Sequence, residues 1–320
     1  MTAWLLSGLG LLILLLAGDA LVRGAVNLSL RIGVPALIVS LTIVAFGTSA
    51  PELLIAISAI KENAPGIALG NVVGSNTANI LLVLGLPALL ATLHTSECDS
   101  RKNYVFMLLA TVLFIGLAFC GVFNLFSGAI LLAALSFVLW TAFREAHAHR
   151  KACGKACAED DDFDGLEEAD PDMPYWKISV YLVLGLIGLP MGAHLLVDNA
   201  TIIARTYGVS ETVIGLTLIA VGTSLPELAT TVMAALRRQA DVALGNVIGS
   251  NMFNLLAIVG IATLFGRIPV DPEFLRFDLW VMLGASLLLV PFVFFKRDIT
   301  RGWGILLTSL YAVYVISLLV

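Results

Sequence analysis

The 320-residue chain is 59% hydrophobic and only 13% charged, with a formal net charge of −5. Soluble domains run near half apolar and a quarter charged, so a soluble globular protein is excluded and an integral membrane protein is indicated. No basic cluster suits nucleic acid, and the four cysteines (Cys98, Cys120, Cys153, Cys157) are too few for a disulfide framework.

A membrane-spanning helix needs about 20 mainly apolar residues. Ten such stretches are read: 3–22, 34–60, 66–93, 104–121 and 124–142, then 178–197, 209–236, 241–265, 278–295 and 302–319. The stretch Leu5 to Ala17 has no basic leader and no clear cleavage site, so it belongs to the first span and not to a removed signal. That span carries Asp19 and Arg23 at i,i+4, and the sixth has His194 and Asp198 at the matching positions. Both pairs are expected to be local contacts near an interface.

The second span holds Gly47-Thr48-Ser49-Ala50-Pro51-Glu52, and the seventh holds Gly222-Thr223-Ser224-Leu225-Pro226-Glu227. A charged side chain at the bilayer centre costs roughly 2.5–3.5 kcal/mol. A proline inside a helix removes one hydrogen bond and frees a carbonyl, here expected to be that of Gly47 or Gly222. Orphan carbonyls in a membrane persist only where they line a cavity or find a partner. Within each motif the threonine, serine and glutamate are expected to share one helix face.

The third span follows with Asn71, Ser75 and Asn79, four residues apart, as a polar stripe. Gly70 and Gly74 give it a small-residue face for close helix approach. The eighth repeats this with Asn246, Ser250 and Asn254, and with Gly245 and Gly249. Cys120, near the end of the fourth span, reads as a small core residue.

These copies belong to one internal repeat. Residues 43–80 and 218–255 share 17 of 38 identities at an offset of 175. The same offset maps 1–145 onto 176–320, so the chain divides into repeats 1–143 and 177–320 with 144–176 as a cytoplasmic linker between them. Each half carries five spans, an odd number, so the halves must lie in opposite orientation. Fourteen Lys and Arg fall in the odd-numbered connections between spans and four (Lys61, Arg205, Arg267, Arg276) on the other side. That bias predicts both termini outside and the linker in the cytoplasm.

The linker turns from basic to acidic. His147, His149, Cys153 and Cys157 match no usual zinc spacing closely. Asp160, Asp162, Asp164 and Gly165 imitate half of an EF-hand loop, but Pro171 falls at its twelfth position. A solvated connector is the expectation.

Brought together by the repeat, the four motif segments would surround one midplane cavity with two carboxylates, amides, hydroxyls and carbonyls. That is an all-oxygen set for hard cations, Na+, Ca2+ or Mg2+. Ca2+ accepts six to eight irregular ligands, and Na+ can use the same ones. No nucleophile and base come together in sequence, His194 lying far from the serine motifs, so an enzyme is not expected.

The paired motifs Gly-Thr-Ser-x-Pro-Glu and Gly-Asn-Val-x-Gly-Ser-Asn-x-x-Asn resemble the alpha repeats of the sodium/calcium exchanger family, compact bacterial type, over essentially the whole membrane portion. The resemblance implies an all-α membrane protein of ten helices in two inverted five-helix repeats, with broken helices around a midplane ion site. It implies Na+-driven Ca2+ antiport by alternating access, with the first and sixth helices sliding over a packed core. Ca2+ and Na+ would be transported substrates, with no cofactor and no obligate protein partner, in a bacterial inner membrane.

By the same resemblance Glu52 and Glu227 would be the central Ca2+ carboxylates, with backbone oxygens of Thr48 and Thr223. Ser49, Ser224, Ser75 and Ser250 would line Na+ sites, and Asn79 and Asn254 would complete the centre. Some relatives carry Asp at one or both of these Asn positions, which leaves stoichiometry and K+ dependence open. An H+/Ca2+ antiporter of the same superfamily is the nearest alternative, and a Na+-coupled solute symporter a more distant one.

Overall fold

The computed structural model describes residues 2–153, 170–208 and 220–319. The helices are α1 (Thr2–Ile32), α2 (Ala36–Thr48), α3 (Ala50–Lys61), α4 (Pro65–Leu90), α5 (Arg101–Ala118) and α6 (Leu125–Cys153). They continue as α7 (Tyr175–Thr206), α8 (Leu225–Leu236), α9 (Ala240–Ala262), α10 (Pro272–Phe294) and α11 (Arg301–Leu319). Among the described residues eight helices are long and apolar enough to cross a membrane, and the bent pair α2–α3 makes nine. The tenth expected span, 209–236, is described only from Ala220, and its α8 is a shorter apolar helix.

Three spans, α1, α6 and α7, are much longer than expected. α1 runs on through Asp19, Arg23 and Asn27 because these polar groups pair within the helix. Arg23 Nε donates to Asp19 Oδ2 at 2.9 Å, and Asn27 Nδ2 donates to the Arg23 carbonyl at 2.9 Å. The helix stops at Gly33, whose φ of 66° suits a residue without Cβ, just before Pro35. Arg23 and Arg31 are therefore helical, not loop residues as the span boundaries implied. α6 likewise reaches Cys153 and carries Arg144 within it. Cys120 is exposed beyond the end of α5, so the expectation of a core cysteine fails. The helical reading also missed an antiparallel pairing of Val122–Phe123 with Ile268–Pro269 and a bridge between Leu93 and Ile299.

α1 and α7 pack along their length in opposite directions. A Cβ on Gly10 would lie 2.6 Å from the Leu196 nitrogen, and one on Gly185 would lie 2.5 Å from Leu21 Cβ. Gly10 and Gly185, and Leu21 and Leu196, are each separated by 175 residues. The same contact is thus made twice, once from each side of a two-fold axis running across the helices. This is the geometry of inverted repeats. Behind this pair lies the main core, in which α9 is buried along nearly its whole span. α2 lies against α9 so closely that a Cβ on Gly249 would sit 2.5 Å from the Leu41 carbonyl oxygen.

Candidate ion-binding site

Each Gly-Thr-Ser-x-Pro-Glu motif forms a corner. Ser49 (φ −85°, ψ 2°) and Ser224 (φ −89°, ψ 3°) leave the helical region in nearly the same way. α2 and α3 meet at 40° across the first corner. Pro51 and Pro226 then fall in the first turn of α3 and α8, where a missing N–H costs nothing. This corrects the expectation of a proline inside a continuous helix. Glu52 and Glu227 also lie in those first turns, at the positive ends of the helix dipoles.

The corner separates Thr48 from Glu52, so they do not share a helix face. The hydroxyls reach across to the other half instead. Thr48 Oγ1 donates to Asn246 Oδ1 at 3.4 Å and lies 3.4 Å from Ser250 Oγ. Ser49 Oγ donates to Glu227 Oε1 at 3.5 Å. Asn246 Nδ2 donates to the Glu227 carbonyl at 3.4 Å and to Thr231 Oγ1 at 3.3 Å.

Asn76 and Asn251 join the halves directly. Asn251 Nδ2 donates to the Asn76 carbonyl at 3.4 Å, and Asn79 Nδ2 donates to Asn251 Oδ1 at 3.1 Å. Asn76 and Asn251 are repeat counterparts, and a residue that touches its own counterpart lies on the two-fold axis. Glu52 and Glu227 are also counterparts and flank the same axis, with Ser49 of the first corner reaching the Glu227 carboxylate.

All but one of the sequence-predicted site residues are buried; Thr223 is partly exposed. Glu52 and Glu227 are 1% and 0% exposed. Both Glu52 carboxylate oxygens, Glu227 Oε2, Ser224 Oγ, Asn79 Oδ1 and both polar atoms of the Asn254 amide are buried without a hydrogen-bond partner. A buried polar group without a partner ordinarily costs about 1–3 kcal/mol, more when charged. Here six such oxygens, three of them from carboxylates, occur among the residues the repeat brings together. Their chemistry fits a hard cation.

Ser75 is buried in α4, one turn before Asn79. Asn76 and Asn251 stand outside the predicted site, although their recurrence at the offset of 175 is visible in the sequence. Thr231 has no such signal, since its counterpart is Ala56. The glycine faces are half accounted for. Gly245 and Gly249 meet α2 backbone, whereas the segment that symmetry would bring to Gly70 and Gly74 falls within 209–219, outside the described residues. In the linker, Cys157 and the acidic run to Ala169 also lie outside them. Among the described residues no group of three or more His, Cys, Asp or Glu is arranged to hold a metal.

The sodium/calcium exchanger protein family matches residues 2–144 and 177–320. This chain belongs to the sodium/calcium exchanger family. The sodium/calcium exchanger MaX1 of Methanosarcina acetivorans is 33% identical over 337 aligned residues, covering 97% of this chain and 96% of that one. The inner membrane protein YrbG of Escherichia coli is 33% identical over 97% of this chain and 94% of its own. A solved structure of the sodium-calcium exchanger NCX_Mj superposes with a TM-score of 0.83 at 32% identity, covering 99% of this chain and 98% of that one. This exchanger-family chain is thus a multi-pass helical membrane protein.

Proposed function

We propose that this chain exchanges Na+ for Ca2+ across the membrane by alternating access at the site between Glu52 and Glu227. The observation that carries this reading is the pair of symmetry-related carboxylates, three of whose four oxygens are buried without a partner. Two negative charges held in low dielectric are costly unless a cation shares them. One Ca2+ neutralises the pair, and Na+ ions on the flanking oxygens do the same. Movement of the empty carrier, with both charges exposed to that cost, is the step the arrangement suppresses, and its suppression couples the two fluxes.

In this scheme Glu52 and Glu227 hold Ca2+ together with backbone oxygens of Thr48 and Thr223. Ser49, Ser75, Ser224 and Ser250 line the Na+ positions, and Asn79 and Asn254 close the cage. Two five-helix repeats, 1–143 and 177–320, supply half of the cage each, and the linker 144–176 joins them. The positive-charge bias puts the linker in the cytoplasm and both termini outside. A bacterial inner membrane is the compartment this reading assigns, in keeping with the name of the Escherichia coli relative.

The test is 45Ca2+ uptake into proteoliposomes preloaded with Na+, against Na+-free and K+-loaded controls, for the wild type and Glu52→Gln. Uptake that requires outward Na+ and vanishes in the variant is expected. Uptake driven equally by a pH gradient would replace the scheme with H+/Ca2+ antiport.

A further inference from the structure

The two-fold symmetry that relates the halves is broken where the α1–α7 pair meets the core. A Cβ on Gly18 of α1 would lie 3.0 Å from the Ala229 carbonyl oxygen and 3.3 Å from the Thr230 nitrogen, so α1 sits directly on the α8 backbone. The counterpart contact would seat Ala193 of α7 on Leu54 of α3. Leu54 is instead 66% exposed, while Ala229 is 7% exposed. Similarly, Gly47 meets Leu186 of α7, but Leu11, the counterpart of Leu186, is 50% exposed, and Gly222 meets Val197 instead. The helix pair is therefore seated on α8 and withdrawn from α3, as one of two alternating states requires.

An ion pair spans the closed seam. Asp19 of α1 pairs through Oδ1 with Arg237 Nε at the end of α8, and through Oδ2 with Arg23 at 2.9 Å. The three side chains retain only 18–21% exposure. Their counterparts at the offset of 175 are His194 for Asp19, Asp198 for Arg23 and Glu62 for Arg237. Closing α7 onto α3 would bring two carboxylates and an imidazole together with no arginine between them. The neighbouring cation, Lys61, is engaged over the Phe265 ring at 5.3 Å.

We propose that the Asp19–Arg237 pair is a one-sided latch that biases the carrier towards the state closed on the Arg237 face, because the opposite closure has no equivalent pair. Asp19 and Arg237 act as positioning residues, through the seating of α1, and touch no transported ion. The proposal rests on the alternating-access reading. A ligand entering from one face sees an affinity reduced by the fraction of carriers open to that face. Loosening the latch raises the fraction open to the Arg237 face.

The experiment measures half-saturating Ca2+ on each face separately, in inside-out and right-side-out vesicles, for the wild type, Asp19→Asn and Arg237→Gln. In both variants the value on the Arg237 face should fall, by roughly three- to tenfold for a partly buried pair, and the value on the other face should not. Equal shifts on both faces, or none, would overturn the latch while leaving Na+/Ca2+ exchange intact. Exchange absent from the wild type would strike at the functional reading instead.

A second measurement guards against a folding defect. Asp19→Cys and Arg237→Cys are combined with serine at the four native cysteines and joined by a reducible bis-thiosulfonate linker. Exchange should stop on cross-linking and return with reductant. Unchanged exchange in the cross-linked protein would mean that the seam does not open during transport.

Discussion

At the residue scale the exchanger concentrates its unpaired chemistry in a few atoms. Glu52 offers two partnerless carboxylate oxygens, and Glu227 shares only one of its own, with Ser49. Replacing Glu52 with Gln removes one charge at nearly constant volume. Ca2+ exchange should fall at least about 100-fold, since a charge-bearing ligand is lost from a low-dielectric site. The same substitution relieves repulsion between the two carboxyls, so the thermal midpoint in Ca2+-free detergent should rise. The stabilisation that Ca2+ confers on the wild type, about 2.7 kcal/mol at 100 times the Kd, should disappear. A variant that loses exchange and also melts early would point to a folding role instead.

Asn254 has neither amide atom paired, although it is fully buried. Asn254→Asp adds a third carboxylate to the set. Competition assays against 45Ca2+ uptake should then show altered preference among Na+, K+ and Ca2+, and an unaltered preference would leave Asn254 a structural residue.

At the element scale, the offset of 175 and the repeated Gly-Thr-Ser-x-Pro-Glu motif made the inverted halves and the paired carboxylates legible before any coordinates. The corner itself was not legible. A proline inside an apolar run reads as a mid-helix break, but the chain bends at Ser49 and Ser224 and starts a new helix with the proline in its first turn. The crossed hydrogen bonds from Thr48 and Ser49 to the other half were hidden for a related reason. They depend on the tertiary pairing of segments some 200 residues apart, which local spacing does not encode. The length of α1 was missed because a hydropathy window ends at Asp19 and Arg23, whereas their mutual pairing lets the helix continue.

The glycines of α1 make a matched pair of tests. Gly10→Val drives a branched side chain into the Leu196 backbone, 2.6 Å from the Cβ position, and should cost at least about 1–3 kcal/mol. Gly8, where a Cβ meets nothing within 4 Å, should accept Ala with a gain of up to about 1 kcal/mol from helix propensity. Detergent unfolding curves compare the two, and equal destabilisation would contradict the close antiparallel seam.

The loops beyond the helices add a pH-dependent tie. Asp298 accepts from the Ser96 N–H at 3.0 Å and faces His94 Nδ1 at 3.1 Å, joining the connection after α4 to the one before α11. Partial burial alone would raise the Asp298 carboxyl, but the hydrogen bonds from Ser96 and the neighbouring His94 outweigh it and hold it below the usual carboxylate range. A depressed carboxyl contributes stability above its unfolded value, near 3.9, and loses it as pH falls through the folded value. Asp298→Asn should therefore lower the midpoint at neutral pH and leave the difference from wild type smaller at pH 3.

At the scale of the whole molecule, the two halves are held together through their membrane interior. α1 packs along α7, the Asn76–Asn251 contact ties α4 to α9, and α2 lies on α9 through Gly245 and Gly249. Ser40 Oγ adds a bond to the Val242 carbonyl at 2.7 Å. The described linker residues after 169 make a few contacts near the end of α1. The Asp170 N–H donates to Asn27 Oδ1 at 2.9 Å, and Arg31 reaches the Pro171 carbonyl and Asp172 at 3.3 Å. All of these belong to residues after 169, on the side of the second half. A break between residues 160 and 161 leaves every one of them in place. Two fragments, 1–160 and 161–320, should therefore assemble when produced together and carry out Na+-dependent 45Ca2+ exchange at a rate within a few-fold of the intact chain. Linking the halves raises their effective concentration, so the split form should need higher expression to reach the same assembly, and no more than that. Co-purification through a tag on one fragment, followed by the flux assay, separates the outcomes. Fragments that co-purify but do not exchange would assign the linker a part in the transport cycle. Fragments that fail to associate would mean that the seam between the halves is weaker than its packed glycines and crossed hydrogen bonds imply.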